Sequence, residues 1–288
     1  MLSLKALRRR IASIKNTQQI TRTMKMVAAA RLRRAQDRII EARPYADKML
    51  EILQDLTLRT KAELHPLLAR REIRKVQLVV ISTDRGFCGS FNQNIFRRTE
   101  RFVREHRDKY DEISLTIIGR KGLDYFRRRD VTILRDYVRK FQELDIGSAS
   151  TVADDVIRDF TEGKYDAIFL VYNVYQSPLV QRVVVRELLP LEPGEVEPDF
   201  YPIEYIYEPS ADGVLAELLP RYVEVQILRA FLESTAGEQG ARMTAMDAAT
   251  NNAEEMIDKL NLVYNKARQS TITKEMLEIV SGAEALQQ

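Results

Sequence analysis

The sequence predicts a three-layer α/β domain inserted between two long terminal helices that pair as an antiparallel coiled coil. Three observations carry this reading. From Met246 to Ala267, Met246, Ala249, Ala253, Met256, Leu260, Val263 and Ala267 recur in alternating steps of three and four, the period of a coiled-coil seam. A matching 3-4 pattern runs along the first forty residues. Between them, over residues 76–207, short apolar β-branched runs alternate with helical stretches, the pattern of a mainly parallel sheet covered on both faces.

The N-terminal seam starts at Leu4, Leu7, Ile11 and Ile14 and continues through Ala28, Leu32, Ala35 and Ile39. Its middle places, Gln18, Thr21 and Lys25, are polar. Ile20, Met24 and Val27 form a second stripe at i, i+4, i+7. A two-stranded rod hides one stripe, so a second one either invites another protein surface or drifts around the helix. Pro44 lacks a backbone donor and is expected to kink or interrupt the helix, whose pattern resumes at Met49, Ile52, Leu53 and Leu56. The helix is expected over 1–58, followed by a connector over 59–75.

The middle segment opens with the run Val76–Thr83, a first strand, and a turn, Asp84-Arg-Gly-Phe-Cys-Gly-Ser-Phe-Asn92, whose glycines are expected to supply positive φ. A helix to about His106, a strand at Ile113–Gly119, a helix at Arg120–Arg129 and a short strand at Val131–Leu134 follow. Ser148 or Ser150 is the expected cap of a helix running to Gly163. Asp166–Tyr175 reads as a buried strand; Val180–Leu189 and Ile203–Tyr207 are further strands. No helix separates the last two, which implies an antiparallel edge.

The final segment, 208–288, is expected to be one helix. Leu215, Leu219, Tyr222, Val225, Leu228 and Leu232 form a less regular stripe ahead of the seam. A helix of this length runs on the order of 110 Å and reads as a rod that its own chain cannot cover. The tract Ser234–Ala253 is crowded with small residues, which either bring two backbones close or weaken the coil. Charge supports pairing of the two ends: residues 1–43 carry 12 Lys and Arg against 2 Asp and Glu, and residues 208–288 carry 7 against 13.

Composition excludes several function classes. One cysteine, Cys88, rules out an internal disulfide. No apolar run reaches the roughly 20 residues that span a bilayer. The first 36 residues are Arg-rich and free of acids, as a mitochondrial presequence would be, but the helical pattern runs on through them, so no processing is expected. The Asp84–Gly89 turn has neither a GxGxxG nor a phosphate-cradling Lys-Ser/Thr, Cys88 has no nearby histidine to activate it, and His65 and His106 lie far apart. No catalytic, cofactor-binding or metal-binding residues are expected.

Four stretches carry a resemblance to a known family. Ile14-Lys-Asn-Thr-Gln-Gln-Ile-Thr-Arg-Thr-Met-Lys-Met-Val-Ala-Ala30, Ser82-Thr-Asp-Arg-Gly-Phe-Cys-Gly89, Ala241-Arg-Met-Thr-Ala-Met246, and Leu262-Val-Tyr-Asn-Lys-Ala-Arg-Gln269 through Ile272–Ala283 resemble the gamma subunits of F-type ATP synthases, in the family's order. The resemblance implies a Rossmann-like domain between coiled-coil helices, with no catalysis of its own. It implies a central rotating stalk coupling ion flow through a membrane rotor ring to ATP synthesis or hydrolysis at the alpha and beta subunits. By matching position, Met24, Lys25, Arg242, Arg268 and Gln269 would contact the catalytic subunits. Ile279, Val280, Ala283 and Leu286 would form the tip seated in an apolar bearing. The epsilon subunit and the c-ring would meet the α/β end, on the cytoplasmic face of a bacterial inner membrane or, second, the matrix face of a mitochondrial one. The uninterrupted run from Asp166 to Tyr207 and the single cysteine leave no room for the chloroplast regulatory dithiol segment. Phe87 stands where the family pattern has leucine. The competing reading is a basic coiled coil that binds nucleic acid or acts as a scaffold, against which the acidic C-terminal segment argues by neutralising the basic one.

Overall fold

The computed structural model describes residues 3–59, 65–138, 145–192, 207–208 and 210–285. The order is α1 (Leu4–Arg59), β1 (Lys75–Ile81), α2 (Phe91–His106), β2 (Glu112–Ile118), α3 (Arg120–Phe126), β3 (Thr132–Tyr137), α4 (Ile146–Thr161), β4 (Ala167–Tyr175), β5 (Gln181–Leu189) and α5 (Ala211–Ala285). The chain divides into two compact units: residues 29–242, and residues 1–28 with 243–288.

In the larger unit a five-stranded sheet has the order β3-β2-β1-β4-β5. The first four strands are parallel and β5, which follows β4 with no helix between, pairs antiparallel with it at the edge. Alternation along β1 separates the two faces. Val76, Leu78 and Val80 pack with Phe91, Ile95, Phe96 and Phe102 of α2 and with Leu123 and Phe126 of α3. Val79 and Ile81 point the other way, into the core that α4, the end of α1 and the start of α5 share. Because both faces are covered, the central strands read as continuous apolar runs rather than alternating ones. The strand candidate at Ile203–Tyr207 lies outside the described residues except for Tyr207, whose hydroxyl donates to the buried Asp55 at 2.6 Å.

Four expectations are corrected. α1 runs through Pro44 without the interruption offered as one of the two outcomes there. The carbonyl that Pro44 leaves without its helical donor belongs to Ile40, which is 65% exposed, so water can satisfy it. β3 runs to Tyr137 rather than Leu134, because pairing with β2 continues past a register shift at Leu115/Thr116. The cap of α4 is Asp145, not Ser148 or Ser150. Its carboxylate accepts from the Ser148 amide at 2.9 Å while Ser148 Oγ accepts from the Asp145 amide at 2.8 Å, a reciprocal capping box.

The fourth correction concerns α5. Its first half is not a bare rod. From Leu215 to Gly240 it is covered by its own chain, with Val223, Ile227, Ala230, Phe231 and Ala236 fully buried. The small residues exist for this packing. A Cβ on Gly237 would lie 3.1 Å from Phe91 Cε2, and one on Gly240 would lie 3.1 Å from the Pro178 backbone. Close approach is therefore between α5 and the sheet domain, at the helix positions with no side chain.

In the smaller unit α1 and α5 pair antiparallel. Lys25 meets Asp247 at 2.6 Å, Thr21 meets Thr250 at 2.8 Å, and Arg8 Nη2 donates to the Tyr264 hydroxyl at 2.7 Å. As numbers rise on one helix they fall on the other by the same amount, which fixes the register.

Candidate functional site

The candidate functional surface is what the paired helices leave uncovered. On α1 the expected seam is buried or half-buried throughout, from Leu7 through Thr21 to Ala28. Its second stripe stays outside: Ile20 is 60% exposed and Val27 46%, while Met24 between them is half-buried. Lys25 is held to Asp247, but both side chains remain over two-fifths exposed. Such a pair contributes at most about 1 kcal/mol, so a competing carboxylate from another chain could take the ammonium.

On α5 the inward line lies one residue away from the expected phase at three positions, the first being Thr250 in place of Ala249. Met256 and Val263 face solvent, and Ile257 and Tyr264 take their places inside. The buried line is Met246, Thr250, Ala253, Ile257, Leu260, Tyr264 and Ala267. The cause is chemical. Thr250 and Tyr264 look polar in sequence but bond across the seam to Thr21 and Arg8, while the apolar Met256 and Val263 suggested the wrong phase. The exposed pair forms an apolar stripe on the outer side of α5.

Arg268 and Gln269 follow the last half-buried seam residue, Ala267, and both are exposed, with no side-chain hydrogen bond or ion pair among the described residues. The register places Leu4 at their level, so α5 continues without a facing α1 residue to Ala285. Along this single helix Ile272, Met276, Ile279 and Val280 form a stripe at i, i+4, i+7 and i+8, each at least 50% exposed. A contiguous apolar stripe of this kind differs from apolar residues scattered singly over a surface. Ala283 continues α5, and Leu286 lies outside the described residues.

Arg242 is placed differently. It is 8% exposed, and its Nη2 donates to Glu238 Oε1 at 2.6 Å and to the Gly86 carbonyl at 3.2 Å. It therefore clamps α5 to the turn after β1. Asn92 anchors the same turn, accepting from the Thr83 amide and donating to Thr83 Oγ1, and Asp84 accepts from the Arg120 amide at 2.8 Å. Positive φ is supplied by Gly89 (56°) and, against expectation, by Phe87 (63°) rather than Gly86. Phe87 is 74% exposed at the tip. A non-glycine residue in this region costs about 1–2 kcal/mol, which the clamps around it offset. Cys88 is turned inward at 2% exposure, and burial first, then Glu238, pushes its thiol up and away from the reactive thiolate. His106 stacks between Phe102 and Tyr110 and accepts no catalytic role from that geometry.

The comparisons with known proteins agree over the whole length. A family model described as ATP synthase matches residues 3–286. The ATP synthase gamma chain of Pelotomaculum thermopropionicum is 50% identical over 287 residues, covering all of both chains. That of Trichlorobacter lovleyi is 46% identical over 287 residues, covering 99% of each. Among solved structures, the central stalk and c-ring of Tetrahymena thermophila mitochondrial ATP synthase matches at TM-score 0.60 and 26% identity, covering 80% of this chain and 99% of that one. The Euglena gracilis mitochondrial ATP synthase in rotational state 3 matches in fold at TM-score 0.66 and 20% identity, covering 98% and 94%. On its sequence from end to end and on its fold, the chain belongs to the ATP synthase gamma chain family.

Proposed function

We propose that the chain is the rotating central shaft of an F-type ATP synthase, coupling ion flow through a membrane rotor ring to ATP synthesis or hydrolysis at the alpha and beta subunits. The observation that carries this reading is the far end of α5, where Arg268 and Gln269 lead into an uncovered apolar stripe that runs to Val280. A lone helix of that character is stable only inside something else. Its apolar end suits a bearing formed by a ring of subunits, with Ile279, Val280, Ala283 and Leu286 seated in it.

The mechanism rests on asymmetry. The outward faces of the paired helices differ around the axis: Ile20 and Val27 on one helix, Met256 and Val263 on the other, charged residues elsewhere. Like subunits arranged around such a shaft each meet a different face. Each contact biases that subunit between its open and closed states by no more than its differential interaction energy. Turning the shaft then passes every site through all states. Met24, Lys25, Arg268 and Gln269 are the side chains that reach the catalytic subunits in this reading. Arg242 acts through the turn that it holds, whose tip is Phe87.

The working division is an N-terminal helix over 1–58, a connector over 59–75, the α/β domain over 76–207 and the C-terminal helix over 208–288. The α/β domain is the end that meets the epsilon subunit and the c-ring, so the chain sits peripherally on the cytoplasmic face of a bacterial inner membrane. Among the described residues no helix is long and apolar enough to cross a membrane.

Reconstitution tests the proposal. Substoichiometric amounts of the chain added to purified alpha and beta subunits should organise them into a complex with cooperative ATP hydrolysis, and a chain ending at Gln269 should not. Equal activity with the shortened chain would remove the apolar end from the mechanism. Steady ATP turnover by the pure chain would refute the proposal itself.

A further inference from the structure

At the carboxyl ends of β1, β2 and β3 lies a cavity of about 460 Å³ that the shaft function does not use. This is the edge at which open α/β sheets hold ligands, and the volume falls within the range of small-molecule sites, roughly 300–1,000 Å³. One wall is α1, which presents Arg31, Arg34 and Arg38 at i, i+3 and i+7 on a single face. The turn after β1 contributes Arg85 to the lining. The floor is polar and buried: Thr83 is 4% exposed and Gln239 of α5 is 6% exposed. Gln239 and Thr235 beside it on α5 both line the space, and among the described residues neither side chain makes a hydrogen bond.

Charge selects what that something is. Four guanidinium groups face two carboxylates, Asp84 and Glu238, and both carboxylates are engaged elsewhere, Asp84 by the Arg120 amide and Glu238 by Arg242. Arg34 and Arg85 make no ion pair or side-chain hydrogen bond among the described residues. Planar guanidinium groups bind phosphoryl oxygens two at a time, which ammonium groups do not. A single orthophosphate would leave most of the cavity empty. We propose that this cavity binds a small anion carrying a diphosphate group, gripped by Arg34 of α1, Arg85 of the turn after β1 and Gln239 of α5. Such a ligand bridges α1, the turn after β1 and α5, so its binding stiffens the junction of those three elements.

Isothermal titration of the purified full-length chain tests this. Pyrophosphate should bind saturably, with an affinity that weakens as salt rises, and should raise the melting temperature by mass action; orthophosphate should bind more weakly. ATP and ADP without divalent cation separate two sources of the same group: tighter binding than pyrophosphate identifies a nucleotide, and equal or weaker binding identifies an inorganic or other diphosphate. Arg34→Ala with Arg85→Ala should weaken pyrophosphate binding about tenfold or more. Both side chains are exposed, so the variant should keep its far-ultraviolet circular dichroism; Arg34→Gln alone serves should it not. Arg101→Ala, on α2 and outside the cavity, should bind as the parent does. Absence of saturable binding by both pyrophosphate and the nucleotides overturns the proposal and leaves an acidic segment of another subunit as the occupant. Equal weakening by Arg101→Ala also overturns it, as that means general surface attraction.

Discussion

Arg242 and Glu238 lie one turn apart on α5, joined at 2.6 Å with the guanidinium only 9% and the carboxylate 20% exposed. Burial raises the Glu238 carboxyl, and Arg242 is the main influence holding it down. A carboxyl raised in the folded state favours folding when protonated. Its effect on stability is therefore most favourable below its unfolded value and falls as pH climbs through the folded one. Removing Arg242 raises the folded value further and widens that window upward.

Arg242→Ala should accordingly lose more stability at pH 8 than at pH 5, relative to the parent at each pH. The comparison between proteins cancels the other carboxylates, such as Asp145 and Asp155, which are lowered and act in the opposite sense. Melting temperatures of both proteins across that range check it. A constant difference between them would mean that Glu238 is not coupled to Arg242.

The corrected seam separates two neighbouring residues sharply. Ile257→Asp places a charge at a 7% exposed position and should cost about 3 kcal/mol or more. Met256→Asp, at 46% exposure, should stay within about 0.5 kcal/mol. Circular dichroism melting of the two variants decides between the phases. The phase read from apolar residues alone requires the reverse ranking.

Arg268→Ala with Gln269→Ala tests contact against scaffold. Neither side chain bonds to another among the described residues and alanine is a good helix former, so helicity and melting of the isolated chain should stay nearly unchanged. Turnover of the assembled complex should fall by about tenfold, the scale of one hydrogen bond to a charged group. A normal turnover rate would take these two residues out of the coupling path.

Gly119→Ala should be among the most damaging single-methyl changes. The residue has φ of 92°, and a Cβ there would lie 2.3 Å from the Ser82 carbonyl oxygen, which is backbone and cannot move aside alone. Loss of at least about 2 kcal/mol is expected, combining strain at positive φ with the clash, and urea titration measures it. Ser82→Ala should cost about 1–3 kcal/mol, since Ser82 Oγ accepts from the buried Gly122 amide at 2.9 Å.

How much of this was legible in the sequence depends on what each residue packs against. β1, β2 and β4 were readable because strands covered on both faces are apolar throughout, and the N-terminal seam because its buried places keep a strict period. The α5 phase was misread where the seam is built from Thr250 and Tyr264, whose polar atoms find partners only across the helix pair. The small residues of Ser234–Gly240 signalled close approach but not to what; Phe91 and Pro178, more than fifty residues earlier, supply the answer. The clamp made by Arg242 was equally hidden, because Gly86 accepts through a backbone carbonyl that leaves no mark in a sequence. Outward residues such as Arg268 and Gln269 carry no local signal at all. They were found through resemblance, and their exposure is what a contact with another chain requires.

The register of the two helices has a mechanical consequence. Up to the level of Leu4 and Arg268, any twisting load is shared by two helices linked through side-chain bonds such as Arg8 to Tyr264. Beyond that level a single helix bears it alone, and a single helix is the more compliant spring. Elastic strain applied at the apolar end would therefore collect between Gln269 and Ala285, and the paired segment would turn as the stiffer body.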